Sequence, residues 1–196
     1  MAGKDKYASF AELCGGETEG SDYRVCMTPV EASTVAILAP HGGKFEFLTS
    51  RLAASIAADD HHLYAFEGLK EEGNADLHIT SSQFDEPLAL DLVARCDRVL
   101  TIHGLGADDR EIHVGGRDTD LRDRINASLC DAGFESKVVS TGRYAGIHPR
   151  NICNRGRSEA GVQIEIQFGL RVDLYKHPER YDAFVDAVRR AIVTGG

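Results

Sequence analysis

Short, largely apolar runs alternate with amphipathic stretches along this chain, a pattern that predicts strands alternating with helices. Residues 34 to 39 form one such run ahead of Pro40, the signature of a strand buried on both faces. Residues 97 to 103 form a second. Weaker patterns predict an edge strand over residues 23 to 30 and strands over 62 to 66, 75 to 80, 111 to 114, 136 to 140 and 161 to 167. Thr49 is placed to cap a helix running to about residue 58, with Leu52 and Ile56 one turn apart. Asp85-Glu86-Pro87 reads as a helix start, with a capping carboxylate and a proline in the first turn, for a helix reaching Arg95. Asp118 caps another, carrying Leu121, Ile125 and Leu129 at intervals of four and stopped by Gly133. Pro178 opens a last helix with Tyr181, Phe184, Val185, Val188 and Ile192 on one side. Residues 1–20 are expected to form a loosely held arm with a short helix around Phe10 to Cys14. Residues 141 to 151 show no period and read as a long loop, a class that is usually functional.

These elements predict one α/β domain over residues 1–196: an open, mixed but mostly parallel sheet with helices on both faces. Close strand neighbours around residues 62 to 80 and 98 to 114 are expected to supply the antiparallel pairs. With 196 residues, 42% of them apolar, the chain is long enough for a continuous core. No apolar run approaches 18 residues, so no membrane span is expected. The N-terminus has no apolar stretch behind its basic start, which argues against a secretory signal and for a cytoplasmic protein. Five scattered cysteines without a Cys-x-x-Cys pair argue against a disulfide framework and a cysteine metal site.

A formal charge of −9 disfavours nucleic acid as a partner. The charge is uneven, however: residues 141 to 171 carry five arginines against two glutamates, a local +3. Screening acts over about 8 Å at physiological salt, so an anionic substrate in a cleft there is permitted.

The chemistry concentrates where the two best strands end. The first delivers His41, then Gly42 and Gly43, then Glu46; the second delivers His103 and Gly104. Ligands in open α/β sheets bind at the carboxyl ends of strands. Two histidines and one carboxylate arriving there suit a catalytic zinc, which takes three protein ligands and keeps one position open. Glu165 sits between Ile164 and Ile166 in a strand-like segment, unusual for a glutamate unless it is paired or working. Beside a zinc-activated water it would act as general base. His78, in another apolar segment, reads either as a satisfied core histidine or as a side chain orienting a ligand or substrate.

Several blocks in order resemble the poly-γ-glutamate hydrolases known from phages of Bacillus. They are Ala39-Pro-His-Gly-Gly-x-x-Glu46, Tyr64-x-Phe-Glu-Gly68, Leu77-His-Ile-Thr-Ser81, Phe84-Asp-Glu-Pro87, Ile102-His-Gly104, Val114-Gly-Gly116, Asn151-x-Cys-Asn-Arg155 and Gly161-Val-Gln-x-Glu165. The resemblance covers nearly the whole chain. It implies an open α/β fold related to zinc carboxypeptidases and zinc-assisted hydrolysis of γ-glutamyl amide bonds. It further implies His41, Glu46 and His103 as zinc ligands and Glu165 as the base. The polymer it implies as substrate is anionic, and arginine forks match carboxylates; Arg171 and Arg155, then Asn154, are the expected holders of those groups. Without a secretory signal, an extracellular polymer would be met only after lysis. Three other readings stay open: a zinc amidohydrolase or peptidase for another acyl-amino acid, a non-catalytic anion-binding module, and a cysteine hydrolase using Cys153 beside His148.

Overall fold

The computed structural model describes residues 5–193. In chain order its elements are α1 (Phe10–Gly16), β1 (Tyr23–Thr28), β2 (Val35–Gly43), α2 (Thr49–Ala57), β3 (His62–Gly68), α3 (Pro87–Val93), β4 (Arg98–Leu105), β5 (Ile112–Gly116), α4 (Thr119–Asp131), β6 (Ser136–Val138), β7 (Val162–Gln167), α5 (Phe168–Lys176) and α6 (Pro178–Val193). Single 3₁₀ turns, Asn74–Leu77 and Ile152–Asn154, interrupt two of the loops. The seven strands form one sheet in the order β1-β3-β2-β4-β7-β5-β6.

β2 shows why its apolar run is continuous. Ile37 and Ala39 enter the core beneath α2, α4, α5 and α6, while Ala36 and Leu38 enter the core beneath α1 and α3. A strand covered on both faces has no polar side to alternate with. From β2 the chain winds outwards through α2 to β3 in one direction. It then returns through α3 to β4 on the other side of β2. The order therefore reverses between β2 and β4, where a crevice opens at their carboxyl ends. His41 and His103 lie at that point.

Most pairs are parallel, as expected, but the antiparallel ones lie elsewhere than the sequence suggested. They are β1 with β3 and β5 with β7. β4 and β5 are not neighbours at all, because β7 inserts between them. Residues 75 to 80 do not form a strand. Leu77 and Ile79 alternate because both enter the α1/α3 core, while the backbone around them bonds outside any ladder: Thr80 N–H to Asp5 and Ser81 C=O to Ile152 N–H. α5 has no amphipathic stripe to betray it, since Arg171 and Asp173 are buried alongside Leu170 and Leu174.

Thr49 is the first residue of α2 rather than its cap; its hydroxyl donates to the Glu46 carbonyl. The cap of α3 is Glu86, which accepts from Leu88 and Ala89 N–H. The short helix expected near Phe10 is present, but residues 5–20 are tied down rather than loosely held. Leu13 is fully buried, and Tyr7, Lys6 and Lys70 all converge on Glu17. The first four positions of the expected arm lie outside the described residues. Among the described residues no helix is long and apolar enough to cross a membrane.

Candidate metal centre

The bulge after Ala39 and the positive φ of Gly43 (69°) let β2 fold back on itself. Glu46 N–H then bonds the His41 carbonyl at 2.9 Å, which brings the two side chains to one spot. The Nδ1 atoms of His41 and His103 lie 3.2 Å apart, and the Glu46 carboxylate is 3.4 Å from the first and 3.9 Å from the second. A tetrahedral zinc site with ligands at 2.0–2.1 Å has edges of roughly 3.4 Å, so the spacing fits such an ion. These three are the group among the described residues able to hold a metal, their ligand atoms all lying within 4.8 Å of one another.

The outer atoms of each ligand are already engaged. His41 Nε2 donates to the Ile79 carbonyl at 2.9 Å, leaving Nδ1 to face the centre. His103 Nε2 faces Ser81 Oγ at 3.5 Å. Glu46 Oε2 accepts from Gly104 N–H at 2.8 Å. Orienting partners of this kind fix the tautomer and aim of metal-bound histidines. The electrostatics fit a cation as well. Burial opposes charge on His41, yet Glu46 and the Ile79 carbonyl outweigh it and raise the imidazole. Burial, reinforced by His41, pushes His103 down to about 3 despite Glu46.

Glu165 on β7 pairs directly with His103 on β4, so both point to the same face. It is 8% exposed and accepts from Gln163 Nε2 at 3.0 Å. Gln163 is itself held by Asn151 and by the Tyr144 carbonyl. Burial pushes the Glu165 carboxyl up to about 8, the Glu46 charge adding to the shift and Arg143 and Arg171 opposing it. The ligands and Glu165 line a cleft of about 710 Å³, shared with His78, Ser81, Arg143, Asn151 and His148.

Five of the eight residues singled out from the sequence meet here: His41, Glu46, His103, Glu165 and His78. The other three do not reach the cleft. Arg171 is 4% exposed and its guanidinium donates to the Ile166, Phe47 and Leu105 carbonyls, which bind the strand ends together. Arg155 points outwards, with one contact to the Phe84 carbonyl. Asn154 is buried and clamps the 141–151 loop through the Gly146 and His148 carbonyls. The arginine in the cleft is Arg143, whose place in an aperiodic loop left only the local basic excess as a signal. Ser81, Asn151 and Gln163 were also missed. Cys153 has no nucleophilic role available: it is fully buried, and burial pushes its thiol far up.

The family model described as poly-gamma-glutamate hydrolase matches residues 7–185. The SPbeta prophage-derived UPF0714 protein YoqZ of Bacillus subtilis (strain 168) is 40% identical over 172 residues, covering 87% of this chain and 62% of YoqZ. The UPF0714 protein YndL of the same organism is 38% identical over 173 residues, covering 88% of this chain and 68% of YndL. The chain thus spans about three fifths to two thirds of the length of these relatives. Among solved structures, a bacteriophage poly-gamma-glutamate hydrolase superposes with a TM-score of 0.91 at 29% identity, covering 97% of this chain and 98% of that one. Zinc-free YndL superposes with a TM-score of 0.90 at 34% identity, covering 96% and 98%. An N-formylglutamate amidohydrolase from Ralstonia eutropha JMP134 shares the fold, with a TM-score of 0.57 at 11% identity over 87% of this chain and 96% of that one. Matched over most of its length by family model, relatives and structures alike, the chain belongs to the poly-gamma-glutamate hydrolase family.

Proposed function

We propose that this chain hydrolyses γ-glutamyl amide bonds of poly-γ-glutamate with a zinc ion held by His41, Glu46 and His103. The observation that carries the reading is the convergence of two Nδ1 atoms and one carboxylate in a cleft that also contains a second buried carboxyl, Glu165. Family membership supports the substrate class, and the zinc-free form recorded for YndL supports the metal. Zinc, when bound, supplies Lewis acidity and lowers the pKa of water from 15.7 towards 7.

The chain's own residues do the rest. Glu165 takes the proton from the attacking water and passes it to the leaving amine; Gln163 fixes its orientation. Its raised pKa suits this exchange, since a nearby cation draws such a carboxyl down towards neutrality. Arg143, at the cleft, pairs with an α-carboxylate of the polymer, and His78 offers a second polar contact.

The test is size analysis of poly-γ-glutamate incubated with the protein. Shortening that stops on chelation, returns with zinc, and is negligible in Glu165→Gln is the expected outcome. Undiminished cleavage by thoroughly chelated protein would remove the metal from the scheme, and full activity in Glu165→Gln would remove the base.

A further inference from the structure

The segment of residues 78–81 crosses the candidate centre as a strap. Its Ile79 carbonyl accepts from His41 Nε2, its Ser81 hydroxyl faces His103 Nε2, and its His78 ring lies against His41, tilted by 39° with centroids 4.5 Å apart. The outer nitrogens of both histidine ligands therefore face one short segment, His41 Nε2 its backbone and His103 Nε2 a side-chain hydroxyl. This piece has no ladder of its own to hold it. Its ends are held by backbone bonds, His78 N–H to the Ala75 carbonyl, Gln83 and Phe84 N–H to the Thr80 carbonyl and Ile152 N–H to the Ser81 carbonyl. Ile79 is buried in the core, and the side chain that bonds the strap on both sides of Ile79 is Asp5.

The Asp5 carboxylate straddles the strap: Oδ1 lies 2.5 Å from His78 Nδ1, and Oδ2 accepts from Thr80 N–H at 2.7 Å. Those two contacts flank Ile79, the residue whose carbonyl orients His41. The Asp5 side chain is 11% exposed. Burial works against its charge, but the Thr80 amide and His78 prevail and keep it below the usual aspartate range. The rest of the N-terminal segment is docked by other groups. Leu13 fills the core, Tyr7 and two lysines hold Glu17, and Phe10 N–H bonds Asp85. Asp5 thus has no evident part in seating α1. It also precedes residues 7–185, which the family model matches.

We infer that Asp5 is a positioning residue of the metal centre, buckling the 78–81 strap so that His41 and His103 present Nδ1 inwards. The inference rests on the proposed zinc site, but the tautomer it sets exists in the metal-free protein too. Orienting contacts one step removed from a metal typically change affinity by about 10–100-fold.

The test uses the full chain as Asp5→Ala and Asp5→Asn, with Glu12→Ala as control; Glu12 accepts from Ala8 N–H within the same segment. Two quantities are read: the zinc dissociation constant by chelator competition, and the imidazole ¹⁵N–¹H spectrum of metal-free protein. Asp5→Ala is expected to weaken zinc at least tenfold and to abolish the protected His41 Nε2–H signal. Asp5→Asn should fall between, since it retains an acceptor for Thr80 but no charge for His78. Glu12→Ala should match wild type in both. Wild-type spectra and affinity in Asp5→Ala overturn the inference. If Asp5→Ala does not fold, the near-isosteric Asp5→Asn decides by the same criteria. If wild type itself binds no zinc, the proposed function fails, and the metal-free spectrum alone still decides the role of Asp5.

Discussion

Replacing Arg171 by methionine separates two roles that are easily confused. Its guanidinium donates to three carbonyls, from Nε to Ile166 at 3.1 Å, from one Nη to Phe47 at 2.7 Å and from the other to Leu105 at 2.8 Å. These belong to the end of β7, the loop entering α2 and the end of β4, so one side chain ties together the three segments that surround the ligands. Hydrogen bonds to a charged group contribute roughly 1.5–3 kcal/mol each, or about 4.5–9 kcal/mol for three. Relief from holding a cation away from water returns several kcal/mol. A net loss of about 3 kcal/mol is expected, which for a domain of this size lowers the Tm by roughly 6–12 °C. Arg171→Lys should recover little, because one ammonium cannot span a planar three-way fork. Thermal unfolding of the metal-free protein measures the effect without substrate. A Tm within 2 °C of wild type, accompanied by a raised KM for polymer, would refute this reasoning and return Arg171 to carboxylate binding.

Two further substitutions probe the same neighbourhood. A Cβ at Gly104 would lie 2.5 Å from the Arg171 Cζ, and Gly104 N–H also holds Glu46; Gly104→Ala should therefore lose roughly 2–3 kcal/mol and weaken zinc, as read by melting and by metal titration. Unchanged values in both would mean that Arg171 yields freely. Glu165→Gln should stabilise metal-free protein as pH rises. The folded carboxyl is raised from 4.5 to about 8, so its favourable contribution is complete below pH 4.5 and is lost as pH climbs through 8. At about 1.36 kcal/mol per pK unit, the variant gains at most about 5 kcal/mol over wild type by pH 9. A constant difference between pH 5 and 9, in melts with chelator present, would contradict the burial of that charge.

Much of the site was legible because its signals are local. The apolar runs of β2 and β4 end in His-Gly wherever the chain folds, and Glu165 is conspicuous between Ile164 and Ile166. Capping of α4 by Asp118 and the buried face of α6 follow from residues three and four apart. The failures were equally physical. Alternation over residues 75 to 80 records side-chain burial, which a strand and a strap share; only ladder bonding tells them apart. The polar residues buried in α5 erased the periodicity that would have announced a helix.

What the sequence determined by itself was the family and the kind of fold, together with the positions of the candidate ligands, since these depend on residue types at short spacing. Tertiary structure alone decided which cation faces the cleft and which props the backbone. Arg171 and Arg143 are the same residue type in one basic stretch. Their roles differ because β7 lies between β4 and β5, turning one guanidinium into a cage of carbonyls while a loop carries the other to the cleft. The same holds for Asp5, which meets His78 across 73 positions of chain; contacts that distant are set by packing and leave no periodic trace.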